Sequence, residues 1–278
     1  MQISLDTSKN PEQGSPTRSL WYDRIWAAFI FFTRLPFWRI YQPKKEAYKT
    51  VVEHWPLTGW LTGCVMAAII WFGSMALPYP IVIILAILTR LLITGALHED
   101  GLADFMDGFG GGGSDRQRIL DIMKDSHIGA YGVIGLVTYF AILFLCLWSL
   151  PPLSAALSII AADPFSKMLA GQVVQMLPYA RNENEAKSKV VYRKVSIGSS
   201  IALAFQGLLP AIPLFLFGGL ATRWELVVFI PCIVMYFLYM KIYRTLHGYT
   251  GDCCGAIFLL LELTIYLTLC ITNYNAMP

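Results

Sequence analysis

GAYGVIGLVTYFAILFLCLWSL, running from Gly129 to Leu150, contains no charged residue. Coiled as a helix at 1.5 Å per residue, it is long enough to cross a hydrocarbon core of about 30 Å. Six further stretches read the same way: Trp55–Leu77, Ile81–Leu97, Leu153–Leu177, Ile197–Phe217, Leu226–Tyr243 and Gly255–Thr272. The predicted fold class is therefore all-α, a polytopic integral membrane bundle of about seven transmembrane helices. Composition agrees, because 56% of the 278 residues are hydrophobic and only 14% are charged, against about 25% charged in a soluble domain. Ile25–Trp38 is shorter and is interrupted by Thr33-Arg34-Leu35-Pro36, so an interfacial or re-entrant helix is expected there. Residues 1–20 are polar and read as a flexible tail with no cleavable signal peptide. Residues 21–278 read as one membrane-embedded domain.

Orientation follows from the basic residues, which favour cytoplasmic loops. Alternate loops carry Arg39 to Lys49, then Arg116 to Lys124, then Arg181 to Lys194, then Lys241 and Arg244, together 14 of the 21 Lys and Arg. The opposite loops hold only Arg223. The basic loops are expected in the cytoplasm and the C-terminus outside. A net charge of +3 without a polybasic face excludes nucleic acid as a partner. The lipid bilayer is the implied surroundings, and the sequence admits a homo-oligomer without specifying one. The six cysteines show no CxxC motif, and four of them lie inside spans, where they read as small packing residues.

Polar chemistry is concentrated in one place. Seven of the 18 acidic residues fall between Glu99 and Asp125, and all four histidines lie on the same predicted side. On a helix, Asp100, Asp104 and Asp107 share one face. Like charges at this spacing repel by a few tenths of a kcal/mol per pair, and a bound cation relieves that repulsion. Carboxylates without clustered His or Cys suit a hard divalent ion, so Mg²⁺ is expected, held by Asp104 and Asp107 with Asp100 completing the shell. The glycines at Gly108 and Gly110–Gly113 are expected to end this helix. Ser114-Asp115-Arg116-Gln117 has the form of a capping box and predicts a new helix, with Ile119, Ile122 and Met123 on its apolar side. Asp104-x-x-Asp107-Gly108 followed by Asp121-x-x-x-Asp125 resembles the two-segment acidic motif of membrane CDP-alcohol phosphotransferases, with Phe109-Gly110 where Ala-Arg is the rule.

A closer resemblance covers most of the chain. Thr33-Arg34-Leu35-Pro36, the block Leu97-His98-Glu99-Asp100-Gly101-Leu102-Ala103-Asp104 with Asp107-Gly108, Ile122 through Gly132, and Thr250-Gly251-Asp252 with Gly255-Ala256 and Glu262 resemble the cobalamin synthase family. The resemblance implies a Mg²⁺-dependent adenosylcobinamide-GDP ribazoletransferase of the bacterial inner membrane with its active site facing the cytoplasm. Its small-molecule substrates would be adenosylcobinamide-GDP and α-ribazole or the 5′-phosphate of α-ribazole, and GMP would leave. It also implies substrate contacts at Arg34, Gly108, Lys124, Thr250, Gly251 and Asp252. For the base that deprotonates the attacking ribose hydroxyl, Asp125 is expected, kept ionised by Lys124, with Asp121 in a lesser role and His98 as the chemical alternative. The chain departs from the family at His127, where Arg is usual, and at His247 and Tyr249, where glycines are usual.

Within the spans, Asp163 and Lys167 are expected to neutralise each other at i, i+4. Glu262 is expected either to line the cavity of Asp252 or to bond a neighbouring helix. The basic loop Arg181–Lys194 is read as a topology and lipid signal rather than a substrate contact. The rival functions are a phospholipid-type CDP-alcohol phosphotransferase and a cation transporter. A transporter would place its acids near the membrane midplane of several helices, whereas these acids crowd one end.

Overall fold

A computed structural model describes residues 20–181, 192–194, 196–218 and 223–274 of the chain. The predicted tail up to residue 19, Lys187 and Lys189 of the basic loop, and the last four residues lie outside the described residues. Helix α1 (Trp21–Phe32) is followed by a 3₁₀ segment, Lys45–His54, that leads directly into α2 (Trp55–Gly73). Then come α3 (Tyr79–Thr94), α4 (Leu97–Gly111), α5 (Arg116–Lys124) and α6 (Ala130–Trp148). The second half holds α7 (Pro152–Gly171), α8 (Val173–Met176), α9 (Ile197–Leu208), α10 (Ile212–Phe217), α11 (Trp224–Leu246) and α12 (Gly251–Tyr274). Among the described residues there is no strand, only an isolated bridge between Tyr179 and Tyr249. The fold is the expected all-α bundle.

Among the described residues, six helical stretches are long and apolar enough to cross a membrane, and a seventh if α3 and α4 are taken as one bent span. The expected span Ile81–Leu97 is corrected here. Helix α3 stops at Thr94, and Gly95 (φ +66°) and Ala96 (φ +55°) are both left-handed. Two successive left-handed residues cannot continue a right-handed helix, so α4 leaves at 91° to α3. At Gly95 a Cβ would also collide with the side chain of Arg34. Helix α1, at 12 residues, is about 18 Å long and too short to cross. Its start is fastened by Asp23, which accepts the Leu20 N–H at 2.8 Å and the Tyr41 hydroxyl at 2.5 Å.

Helices α7 and α12 form the centre. In their most apolar windows 78% and 72% of residues are buried, against 22–28% for α6, α9–α10 and α11, which expose Leu, Ile, Val and Phe outwards. The sequence of α7 explains its place: Ser154, Ala155, Ala156, Ser158, Ala161, Ala162 and Ala170 are all buried. Small residues let helix backbones approach where lipid offers no hydrophobic drive. Helix α2 supplies the matching surface. A Cβ on Gly59 would lie 2.6 Å from Asp163 Oδ1 and 3.0 Å from Pro164 N, and one on Gly63 would lie 3.3 Å from the Ile159 carbonyl oxygen. Gly59-x-x-x-Gly63 is thus the seam between α2 and α7.

The charges inside the bundle pair with one another. Lys167 Nζ lies 2.5 Å from Asp163 Oδ1, and Thr62 Oγ1 donates to Asp163 Oδ2 at 2.7 Å. This is the expected i, i+4 neutralisation. Glu262 takes the second of its two expected roles and bonds a neighbouring helix. Arg90 Nη1 of α3 donates to both its oxygens, at 2.9 and 2.7 Å, while Tyr266 donates to Oε1 at 3.0 Å. Arg90 Nη2 reaches Tyr139 Oη of α6 at 2.7 Å and stands 3.5 Å from Glu99 Oε1 of α4. One guanidinium therefore ties four helices together. All six cysteines are free thiols.

Breaking a buried pair on one side leaves an uncompensated charge and costs about 3–5 kcal/mol. Glu262→Ala is expected to lose stability on that scale in detergent denaturation. Asp100→Asn, on an exposed carboxylate, is expected to stay within about 0.5 kcal/mol of the parent.

Candidate active site

Two helices begin at the site, and glycines let them touch. A Cβ on Gly101 of α4 would stand 3.1 Å from the Asp252 backbone, and a Cβ on Gly255 of α12 would stand 3.3 Å from the His98 backbone. The first turns of α4 and α12 therefore cross almost backbone to backbone. Their N-terminal N–H groups and positive dipole ends favour anions at this end. Thr250 starts α12 as a cap, with its Oγ1 accepting the Cys253 N–H at 3.3 Å.

Beside this crossing lies a cavity of about 270 Å³. Asp100 and Gly251-Asp252 line it from the two helix starts, and Arg181 lines it from the segment after α8. That segment is held by Tyr249 N–H to Pro178 O (2.9 Å) and Ala180 N–H to Tyr249 O (2.8 Å). Arg181 Nη2 donates to Leu120 O at 3.0 Å. Arg116 braces the same corner, with Nε on Leu246 O (2.8 Å) and Nη2 on Ala180 O (2.5 Å). The inner wall is aromatic: Phe31, Phe32, Trp55, Tyr179 and Tyr192, with His98 among them. Two carboxylates and one guanidinium at the rim of an apolar cavity can receive a phosphate-bearing, largely apolar molecule.

The remaining sequence-derived candidates lie elsewhere. Arg34 packs over Gly95 at the α3–α4 bend, and its N–H donates to Ile93 O at 2.7 Å. The glycine run ends α4 as expected: the helix stops at Gly111, Gly112 is its C-cap and Gly113 is left-handed at φ +65°. Its earlier glycines also serve packing: a Cβ on Gly108 would strike Met123 of α5, and one on Gly110 would strike Tyr131. The predicted helix start is present but as a simple cap, because Asp115 rather than Ser114 caps α5, accepting Gln117 N–H (2.8 Å) and Arg118 N–H (3.1 Å). Ile119 and Met123 are buried against α4, whereas Ile122 is only partly covered.

Asp107 spends both oxygens on the start of α6. Oδ2 accepts the Gly129 N–H at 2.7 Å and Oδ1 the Gly132 N–H at 2.9 Å. Asp121 and Asp125 are exposed and do not line the cavity. Asp121 accepts from Gln117 at 2.9 Å. The neighbour of Asp125 is His127 rather than the expected Lys124: Nδ1 lies 2.7 Å from Oδ1, and the His127 N–H donates to the same oxygen at 3.0 Å. The imidazole, with that N–H, holds the Asp125 carboxyl below the usual carboxylate range. Among the described residues no three His, Cys, Asp or Glu side chains converge as a ready metal cage. Sequence reasoning missed Arg181, which it assigned to topology, and the aromatic wall, whose members come from well-separated parts of the chain.

The family model described as cobalamin-5-phosphate synthase matches residues 24–270. Curated relatives named adenosylcobinamide-GDP ribazoletransferase are similar over nearly their whole length. That of Leptospira interrogans is 34% identical over 250 residues, covering 88% of this chain and 94% of the relative. That of Leptothrix cholodnii is 35% identical, covering 86% and 92%, and that of Shewanella putrefaciens 33%, covering 92% and 98%. No solved structure matches the chain.

If Asp107 fastens α6, losing its acceptors leaves the α6 N–H groups unmet. Asp107→Ala should then cost about 1–3 kcal/mol, and Asp107→Asn, which keeps one acceptor oxygen, should cost less. Equal melting of both variants and the parent would remove the capping role.

Proposed function

The chain belongs to the cobalamin-5-phosphate synthase family, and from that premise we propose that the cavity between α4 and α12 is where it joins α-ribazole, or α-ribazole 5′-phosphate, to adenosylcobinamide-GDP. A ribose hydroxyl attacks the phosphorus that carries cobinamide, the bond from that phosphorus to the bridging oxygen breaks, and GMP leaves. The observation that carries the proposal is the convergence of Asp100, Asp252 and Arg181 on one cavity at two helix starts. A diphosphate needs cationic groups and N–H donors along its path, and Arg181 with the helix ends supplies them.

Mg²⁺ fits this donor set. It is commonly held by one or two carboxylates together with substrate phosphates rather than by an all-protein cage, and two carboxylates open on this cavity. In the proposal Asp100 and Asp252 would hold it together with substrate phosphate oxygens, while Asp104, one turn along α4, does not line this cavity. When bound, the ion would neutralise diphosphate charge. Asp107 enters as the anchor of α6, since each of its oxygens already meets a backbone N–H. Asp125, paired with His127, stands outside the cavity, and it is proposed as the base for a ribose hydroxyl that projects beyond the rim. An inner-membrane location with the cavity facing the cytoplasm is proposed from the basic loops.

Neither rival fits. The family match spans the chain, which removes the CDP-alcohol reading. The buried Arg90–Glu262 and Lys167–Asp163 pairs neutralise one another instead of marking an ion path.

Purified protein with α-ribazole, cobinamide-GDP and Mg²⁺ is expected to release GMP. Asp100→Asn and Asp252→Asn should lower turnover by orders of magnitude while melting as the parent does, and chelation of divalent ions should do the same. Asp125→Asn should lower turnover with cobinamide-GDP binding retained. Because His127 depresses the Asp125 pKa, the ionised form persists until pH falls through that lowered value. His127→Gln should move the acid limb of kcat towards higher pH. Near-normal turnover in both Asp100→Asn and Asp252→Asn would sink the assignment of this cavity.

A further inference from the structure

The inner wall of the cavity carries a polar group that the transfer chemistry does not use. The His98 ring lies nearly parallel to Phe32 and Trp55, with interplanar angles of 15° and 22° at 6.2 and 5.7 Å, and Phe258 meets it edge-on at 4.8 Å. Phe32 and Trp55 themselves stack at 5.1 Å. The imidazole is thus immobilised among three rings, with 3% of its surface exposed. Its Nε2 is buried and has no hydrogen-bond partner among the described residues. Such a nitrogen costs about 1–3 kcal/mol if it stays unmet, and native proteins rarely leave one so without a reason.

We infer that the aromatic end of the cavity takes the flat base of the acceptor nucleoside, and that His98 selects that base by a hydrogen bond to a ring nitrogen. This rests on the reading of the cavity as the transfer site. Three features point the same way. About 270 Å³ suits a bicyclic base with part of its ribose, whereas a corrin macrocycle is several times larger. Phe31 and Tyr192, which are only partly buried, offer ring faces for stacking beside the closed stack of Phe32, Trp55 and His98. Finally, the carboxylates and Arg181 stand at the rim, where the ribose and phosphates of a base buried inside would lie. Guanine, the other base in the reaction, carries donors and acceptors along both polar edges, most of which would go unmet against Phe and Trp. A benzimidazole-type base presents one free ring nitrogen and an otherwise apolar outline. It matches a wall with one unmet imidazole nitrogen. His98 is therefore a specificity-determining residue that touches the acceptor base and leaves proton transfer to other groups.

The test is a double-mutant cycle between protein and ligand. His98→Phe keeps the ring and its stacking but removes the nitrogen. The α-ribosyl derivative of dimethylindole keeps the shape of α-ribazole but replaces the free ring nitrogen by carbon. Affinity is measured by calorimetry in detergent without cobinamide-GDP, so that binding is read apart from turnover. Wild type is expected to prefer α-ribazole to the indole analogue by about tenfold, the scale of one hydrogen bond. His98→Phe should bind the two alike, and His98→Gln should restore part of the preference. In turnover, His98→Phe should raise KM for α-ribazole about tenfold, with kcat and KM for cobinamide-GDP near wild type. An equal loss for both ligands would make His98 merely structural and overturn the inference. So would a fall in kcat at unchanged KM, or guanosine displacing α-ribazole. Coupled binding without GMP release would instead leave the inference standing and defeat the transferase reading.

Discussion

Everything at the active end depends on how closely α4 and α12 approach. Gly101 faces the Asp252 backbone and Gly255 faces the His98 backbone, each at a distance that leaves no room for a larger side chain's Cβ without movement. The contact is reciprocal, so neither helix can slide along the other without losing one of its two glycine seats. That fixes the relative placement of Asp100 and Asp252, one on each side of the crossing. It also turns the start of both helices towards one cavity. A carboxylate pair assembled in this way is electrostatically unfavourable by itself, which is why a polyphosphate–cation ligand set suits it.

The approach in turn needs α4 to leave the direction of α3, and the bend has two supports. Gly95 takes a left-handed conformation without strain, but Ala96 takes one against a cost of about 1–2 kcal/mol. Arg90 sits one turn before the end of α3 and is bonded to Glu262 in the middle of α12, with Glu99 of α4 nearby. The same guanidinium therefore holds α3 against α12 and supplies positive charge beside the first turn of α4. The strained residue stands between this anchor and the glycine crossing, and the surrounding packing over-determines it.

Much of this was legible in the sequence, and what was missed has physical causes. Hydropathy and length mark the crossing helices, because a charge-free run has few other uses. The Asp163–Lys167 pair follows from helix periodicity alone. The α3–α4 bend does not, because apolar residues continue through Leu97 and hydropathy is blind to φ. The reading of Asp107 stopped at its own helix, whereas its partners, Gly129 and Gly132, are more than twenty residues away and bond through backbone N–H groups that every residue carries. Arg181 was hidden among other basic residues of its loop, and only the pairing of Tyr249 with the segment Pro178–Ala180 singles it out. By contrast, Gly59-x-x-x-Gly63 was available as a small-residue seam and was not read.

His247 and Tyr249 flank Gly248 at one corner of the site, and each takes a different part in shaping it. His247 ends α11 at φ +52°, a left-handed conformation in which glycine is unstrained and His is among the less penalised alternatives. Tyr249 is buried between Tyr179 and Tyr192, stacking parallel to the latter at 6.5 Å. Gly248 between them cannot change, because a Cβ would lie 2.7 Å from Pro178 O. The close backbone approach that positions Arg181 therefore requires a glycine at Gly248. Tyr249 adds an aromatic body behind Tyr192 and so stiffens the wall of the cavity. Tyr249 thus acts on the shape of the pocket through its side chain, while the backbone that carries the cationic rim is held by main-chain hydrogen bonds and by Arg116.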